Sequence, residues 1–150
     1  MTGGTRTKRD PNELPVQVFV YGTLTDRGRV ASVLEDARGA YAFGGPATLE
    51  GLHRVDGRYP TLVPGGRVEG RILAVDEPAL EVLDRYEGVD RGLYVRIPVE
   101  GADGRRVWVY VGDPDRLGVD PDGSWPDDQS FPETVRSYIA RMVTVVRNHE

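Results

Sequence analysis

The chain is 150 residues long, 39% hydrophobic, and carries a formal net charge of -5. That is enough apolar material for one domain with its own core, and it lacks the sparse hydrophobicity of a disordered chain. There is no cysteine, a single lysine (Lys8) and two histidines, His53 and His149. These counts exclude disulfides, thiolate nucleophiles, Cys-ligated zinc and a multi-His metal site. Lys8 lies in a polar leader, which argues against a Schiff-base lysine. Acidic and basic residues are interspersed, so neither a nucleic-acid-binding stripe nor a cationic membrane-binding face is expected. No apolar run approaches the roughly 20 residues of a membrane helix, and the N-terminus lacks the apolar stretch of a signal peptide. The expected location is the cytoplasm, and no oligomeric state follows from the sequence.

Residues 1–14 read as a disordered leader, ahead of a single domain over 15–150. Val16 to Val20 is a short β-branched and aromatic run, which predicts a buried strand. It stops at Tyr21-Gly22-Thr23-Leu24. Residues 28–34 predict a short helix, with Val30, Val33 and Leu34 on one side. Residues 41–54 predict one or two strands broken by Gly44-Gly45-Pro46. A strand over 58–63 then runs into Pro64-Gly65-Gly66, a strong turn signal, and 68–75 alternates as another strand. Asp76 is the expected N-cap of a helix over 76–86, with Glu77 and Pro78 in its first turn, Leu80, Val82 and Leu83 on its buried side, and Gly88 closing it. Residues 93–99 and 105–111 form a hairpin around Gly101-Ala102-Asp103-Gly104. A loop rich in Asp, Pro and Gly occupies 112–129. Ser130-Phe131-Pro132-Glu133 has capping-box spacing and opens a last helix, with Val135, Tyr138, Ile139, Met142, Val143 and Val146 on one face. The fold class expected is α+β: a mixed, strongly curved sheet or partial β-barrel, flanked by two or three helices.

The sequence holds no GxSxG, no P-loop, no GxGxxG after a strand and no HExxH. Carboxylates, tyrosines and main-chain amides remain to carry chemistry. In Val18-Phe19-Val20-Tyr21-Gly22-Thr23-Leu24, a buried strand enters a turn in which Gly22 permits unusual dihedrals. Successive N–H groups of such a turn bind anions without a charged side chain. The same pattern also fits an ordinary strand-end turn. In Leu83-Asp84-Arg85-Tyr86-Glu87-Gly88-Val89, Glu87 stands at a helix C-terminus, where the partial negative charge disfavours a carboxylate. Shielding by aromatic neighbours would raise its pKa further, as proton transfer near neutral pH requires. Glu87 also fits a solvated helix end, and Asp84 competes one turn earlier.

Taken together, the Tyr21-Gly22-Thr23-Leu24 turn, Leu83-Asp84, Tyr86-Glu87-Gly88 some 60 residues on, and Leu93-Tyr94 with Arg96 following resemble the gamma-glutamylcyclotransferase-like family. Tyr59-Pro60, Leu62-Val63, and Val68 with Gly70 fit its middle portion. The resemblance covers roughly residues 16–112. It departs at Arg71, where relatives often carry Glu. It implies a metal- and cofactor-free enzyme acting on a small gamma-glutamyl compound. The substrate's α-amine would attack its own γ-carbonyl, releasing 5-oxoproline. In that reading Glu87 is the general acid/base. Tyr21, Gly22, Thr23 and Leu24 bind the glutamyl group, and Tyr94 donates a hydrogen bond or serves as a core tyrosine. A non-catalytic metabolite-binding module of the same fold is the alternative, and a related enzyme acting on a gamma-glutamyl tag carried by a larger amine is a third. Trp125 fits either the rim of the pocket or a pin between the 113–129 loop and the core.

Overall fold

The computed structural model describes residues 14–34, 39–55, 61–102, 104–117, 125 and 130–147. Apart from Leu14, the expected leader lies outside these residues, as do Tyr59, Pro60 and His149. In chain order the elements are β1 (Val16–Val20), α1 (Arg27–Val33), β2 (Tyr41–Val55), β3 (Thr61–Val75), α2 (Glu77–Glu87), β4 (Tyr94–Glu100), β5 (Arg106–Gly112), the one-turn α3 (Pro114–Leu117), α4 (Phe131–Met142) and β6 (Thr144–Arg147). Among the described residues, no helix is long and apolar enough to cross a membrane.

The six strands make one mixed sheet in the order β4-β5-β1-β3-β2-β6. β1 lies in the middle, antiparallel to β3 and parallel to β5. A central strand is buried on both faces, which explains its nearly unbroken apolar run. Its alternation divides the core in two. Val16, Val18 and Val20 pack with Leu24, Val30, Ala79, Leu80 and Leu83 beneath α1 and α2. Phe19 and Tyr21 face the opposite cluster, with Leu49, Ile97, Val109, Val135 and Ile139 under α4. The sheet curls until its outer strands meet. Gly101 bridges Val145, Ala102 N–H donates to the Val145 carbonyl at 2.9 Å, and the Thr144 hydroxyl donates to the Glu100 carbonyl at 3.0 Å. The result is a partial barrel whose edge strands cover each other.

The long β2–β3 hairpin supplies most of the curvature. β2 is one strand through Gly44-Gly45-Pro46, with a register shift there and another between Glu50 and Leu52. Pro64-Gly65-Gly66 is likewise inside β3 rather than a turn between two strands. Gly65 and Gly66 take positive φ and form a bulge in β3, two residues opposite the single Gly51 of β2. Extra residues of this kind bend a strand without ending it. Helix α4 stops at Met142, short of the expected Val146. Val143 is extended, and Thr144–Arg147 pairs with β2 as β6. The run Val143-Thr144-Val145-Val146 is β-branched throughout, and its strand preference overrides the helical spacing. Met142 is 57% exposed for the same reason. Trp125 is buried, donates Nε1–H to the Leu62 carbonyl at 3.0 Å, and meets Phe131 and Tyr138 edge-on, so its side chain is part of the core.

Gly70 marks the closest approach in the sheet. A Cβ added there would stand 2.2 Å from the Val20 carbonyl oxygen and 2.7 Å from the Phe19 ring. Gly70→Ala is therefore expected to lower stability by about 1–3 kcal/mol. In urea denaturation the midpoint should fall with an unchanged slope; an unchanged midpoint would mean that β3 can move away freely.

Candidate active site

The turn at the end of β1 is built by its carbonyls. Thr25 N–H and the Thr25 hydroxyl both donate to the Gly22 carbonyl, at 3.0 and 2.7 Å. This winds Thr23–Thr25 into a 3₁₀ turn. The Tyr21 carbonyl accepts from Arg54 Nη1 at 2.8 Å. With those oxygens occupied, the amides of Gly22, Thr23 and Leu24 form the leading end of the turn, where short helices present their N–H groups. Asp26 then caps α1 by accepting from Gly28 N–H at 3.0 Å.

The acid arrives from α2. Asp76 caps its start, accepting from Ala79 N–H at 3.1 Å with one oxygen and from Ala40 N–H at 2.8 Å with the other. Gly88 (φ 75°) caps its end, so Glu87 is the last helical residue. The chain then folds back tightly. Leu93 N–H donates to the Gly88 carbonyl at 3.1 Å, and Gly92 takes a second left-handed conformation at φ 76°. A Cβ at Gly88 would be 2.8 Å from the Leu93 side chain, which only glycine avoids at such a reversal. The two reversals explain the spacing of Glu87 and Tyr94: they return the start of β4 to the end of α2.

Tyr21, Gly22 and Leu24 from the turn, Glu87 from α2, Tyr94 from β4 and Tyr110 from β5 line one cavity, closed below by Phe19 and Val20. Its volume is about 50 Å³, room for roughly three or four waters. Thr23 contributes its main chain to the 3₁₀ turn beside it. Of the expected site residues, Tyr21, Gly22, Leu24, Glu87 and Tyr94 are thus brought together. Tyr110 and Arg54 were not singled out in the sequence. Tyr110 carried one signal, a phenol in the aliphatic run Val109-Tyr110-Val111, since a buried Tyr hydroxyl needs a partner.

That partner is Asp84. The Tyr110 hydroxyl donates to Asp84 Oδ1 at 2.7 Å, and Arg96 grips the same carboxylate with Nε at 2.8 Å and Nη2 at 3.1 Å. The Arg96 guanidinium also stacks on Trp108, 4.6 Å from the ring centre. Three donors hold Asp84 as a structural anchor between α2, β4 and β5. The Tyr110 carbonyl, in turn, accepts from the Tyr21 hydroxyl at 2.6 Å. Burial, then the neighbouring Tyr94 and Glu87, push the Tyr21 phenol well above its ordinary pKa, against the pull of Arg54. Burial first, and then the bond to Asp84, do the same for Tyr110. Both phenols stay protonated at neutral pH and serve as donors.

Glu87 is different. It is half-buried, and burial raises its carboxyl from 4.5 to about 7. An acid poised there can take and return a proton near neutrality. His53, on β2, places Nδ1 2.9 Å from the Gly65 carbonyl, a structural contact. Among the described residues, no group of three or more His, Asp or Glu could hold a metal ion.

The mixed sheet thus carries an acid-bearing cavity at the end of its first strand. The model of the family "Gamma-glutamyl cyclotransferase, AIG2-like" matches residues 18–127, and the chain belongs to this family. An AIG2-like protein from Mus musculus is 27% identical, with a TM-score of 0.54 over 78% of this chain and 92% of that one. An uncharacterised protein from Pyrococcus horikoshii is 22% identical, with a TM-score of 0.53 over 83% of this chain and 96% of that one. A structure described as a gamma-glutamyl cyclotransferase shares the fold at 15% identity, with a TM-score of 0.53 over 81% of this chain and 98% of that one. No curated protein matches the chain.

The displaced pKa has a signed consequence for stability. The folded Glu87 carboxyl keeps its proton up to about pH 7, whereas the ordinary value is 4.5. Between those limits the folded state binds more protons, so the contribution of this group to stability falls as pH rises. Glu87→Gln carries no such penalty. Its stability relative to wild type should improve by on the order of 2–3 kcal/mol from pH 4 to pH 8, measured by urea denaturation. A difference independent of pH would contradict the displaced titration.

Proposed function

We propose that the protein is a cyclotransferase that releases 5-oxoproline from a gamma-glutamyl conjugate. The observation that carries this reading is the Glu87 carboxyl, lifted to about 7 by burial, in the same cavity as the Tyr21–Leu24 turn. Family membership supports the reaction class.

In this reading the amides of Gly22, Thr23 and Leu24 take the glutamyl α-carboxylate, which aims the α-amine at the γ-carbonyl. Glu87, ionised, removes a proton from the α-ammonium. The freed nitrogen attacks the γ-carbon, forming the ring C–N bond. The tetrahedral intermediate collapses by breaking the bond to the leaving nitrogen; Glu87 returns the first proton to that nitrogen and then relays the ring nitrogen's second surplus proton to it, so that the ring keeps one N–H and the amine departs as an ammonium ion. Atoms and charges balance without any further reactant. Because the attack is intramolecular, orientation within the cavity supplies much of the acceleration. Proton transfer by Glu87 adds about 10²–10⁴-fold. Tyr94 donates a hydrogen bond to the substrate or to Glu87. The Tyr21 phenol, donating to the Tyr110 main-chain carbonyl, and the Tyr110 phenol, donating to Asp84, hold the walls.

The test is 5-oxoproline release from a panel of gamma-glutamyl amines, peptides and larger conjugates. Glu87→Gln should lose at least 10²-fold in kcat while still binding substrate, and the acidic limb of the wild-type kcat/KM profile should have its midpoint near pH 7. Undiminished release by Glu87→Gln rejects the role of this residue. Saturable binding without release from any compound favours a metabolite-binding module instead.

A further inference from the structure

Strand β3 outruns β1, which pairs with it only between Val75 and Arg71. Past the bulge at Gly65 and Gly66, the outer part of the β2–β3 hairpin carries two side chains to the strands that form the cavity. From β3, the Thr61 hydroxyl donates to the Gly112 carbonyl at 2.9 Å and accepts from Gly112 N–H at 2.8 Å, which ties it to the end of β5. From β2, Arg54, the cross-strand partner of Leu62, donates Nη1–H to the Tyr21 carbonyl at 2.8 Å. The outer hairpin is thus bonded to the ends of both β1 and β5.

The Tyr21 carbonyl shares its peptide plane with the Gly22 N–H. In a trans peptide the two groups point in opposite directions across one rigid unit, so whatever holds the carbonyl also aims the N–H. Tyr21 and Gly22 line the cavity, whereas Arg54 approaches the carbonyl without lining it. The Gly22 carbonyl, in the next peptide, is already held by Thr25. Gly22 keeps its φ outside the left-handed region, but a glycine also accepts the flipped plane in which φ is positive. The bond from Arg54 favours the observed plane over that alternative. The guanidinium charge is also felt at the cavity wall. Against burial, and then Tyr94 and Glu87, Arg54 pulls the Tyr21 phenol pKa downward.

We propose that Arg54 is a positioning residue for the cradle: by holding the Tyr21 carbonyl it aims the Gly22 N–H at a bound carboxylate and sets a positive charge behind the turn. This rests on the cyclotransferase reading, in which that turn takes the glutamyl α-carboxylate. Arg54 does not touch the substrate. It acts through one peptide plane, and a donor aimed in advance binds an anion without first having to turn.

Two compounds isolate the group concerned: gamma-glutamyl-ethylamine and its α-carboxamide counterpart, which lacks the carboxylate charge. Arg54 is exposed, so Arg54→Met leaves the core intact. On gamma-glutamyl-ethylamine, Arg54→Met should lower kcat/KM about tenfold, mainly through KM, the loss expected when a hydrogen bond to a charged group is weakened. On the carboxamide the loss should be about twofold at most. An equal loss on both compounds would reduce Arg54 to a general support of the fold and overturn the proposal, as would no loss on either. If wild type releases no 5-oxoproline, binding of the two compounds to wild type and Arg54→Met, followed at the Gly22 amide by nitrogen-15 NMR, decides separately. Carboxylate-selective binding that weakens about tenfold in Arg54→Met upholds the positioning role while the reaction falls. Failure of wild type to bind gamma-glutamyl-ethylamine, or equal binding by both proteins, rejects it.

Discussion

Tyr110 ties the two halves of the site together. Its carbonyl accepts the hydroxyl of Tyr21 at 2.6 Å, and its own hydroxyl reaches Asp84 on α2 at 2.7 Å. The first bond fixes the strand end from which the cradle turn begins. The second fixes the last turn of the helix that carries Glu87, because Asp84 and Glu87 are three residues apart and project from the same side of α2. The parallel pairing of β1 with β5 makes this possible, since it sets Phe19 beside Val109 in the middle of the sheet. Arg96 completes the anchor with one bond to each oxygen of Asp84. A polar chain of this kind is worth keeping only when every member is satisfied, and here each has a partner.

The electrostatics of the cavity follow from that frame. Tyrosine rings and Phe19 displace water around Glu87, and desolvation destabilises its charged form. Asp84, one turn away on the same helix, is held by a guanidinium and a phenol. Two carboxylates on one helix face thus have divided roles, because one has cationic and hydrogen-bonding partners and the other has aromatic walls. That division rests on packing, and a side chain that merely neighboured Glu87 in sequence would not produce it.

Much of the frame was legible in the sequence. β1, the capped helix α2, the hairpin of β4 and β5 and the capping box at Ser130 all follow from local rules, and they fell where those rules put them. The glycines of the β2–β3 hairpin misled, because Pro64-Gly65-Gly66 is a turn signal whose positive φ values are spent on a bulge within β3. The last strand was hidden behind helical spacing, since Val143 and Val146 match a helix face as well as a strand. In the site, Glu87 and the Tyr21–Leu24 turn were readable from their order and spacing. Tyr110 and Arg54 were not, because each depends on which strands lie side by side. No local pattern in a chain of this length encodes that β1 sits between β3 and β5.

The central claim is that the fold walls Glu87 off from water enough to move its titration into the neutral range. Carbon-13 NMR of the Glu87 side-chain carboxyl, followed from pH 3 to pH 9 in the folded protein, measures this directly. The account predicts a midpoint near 7. A midpoint at the ordinary value of 4.5 would show that solvent reaches the carboxylate freely and would remove the basis for its role as a proton carrier.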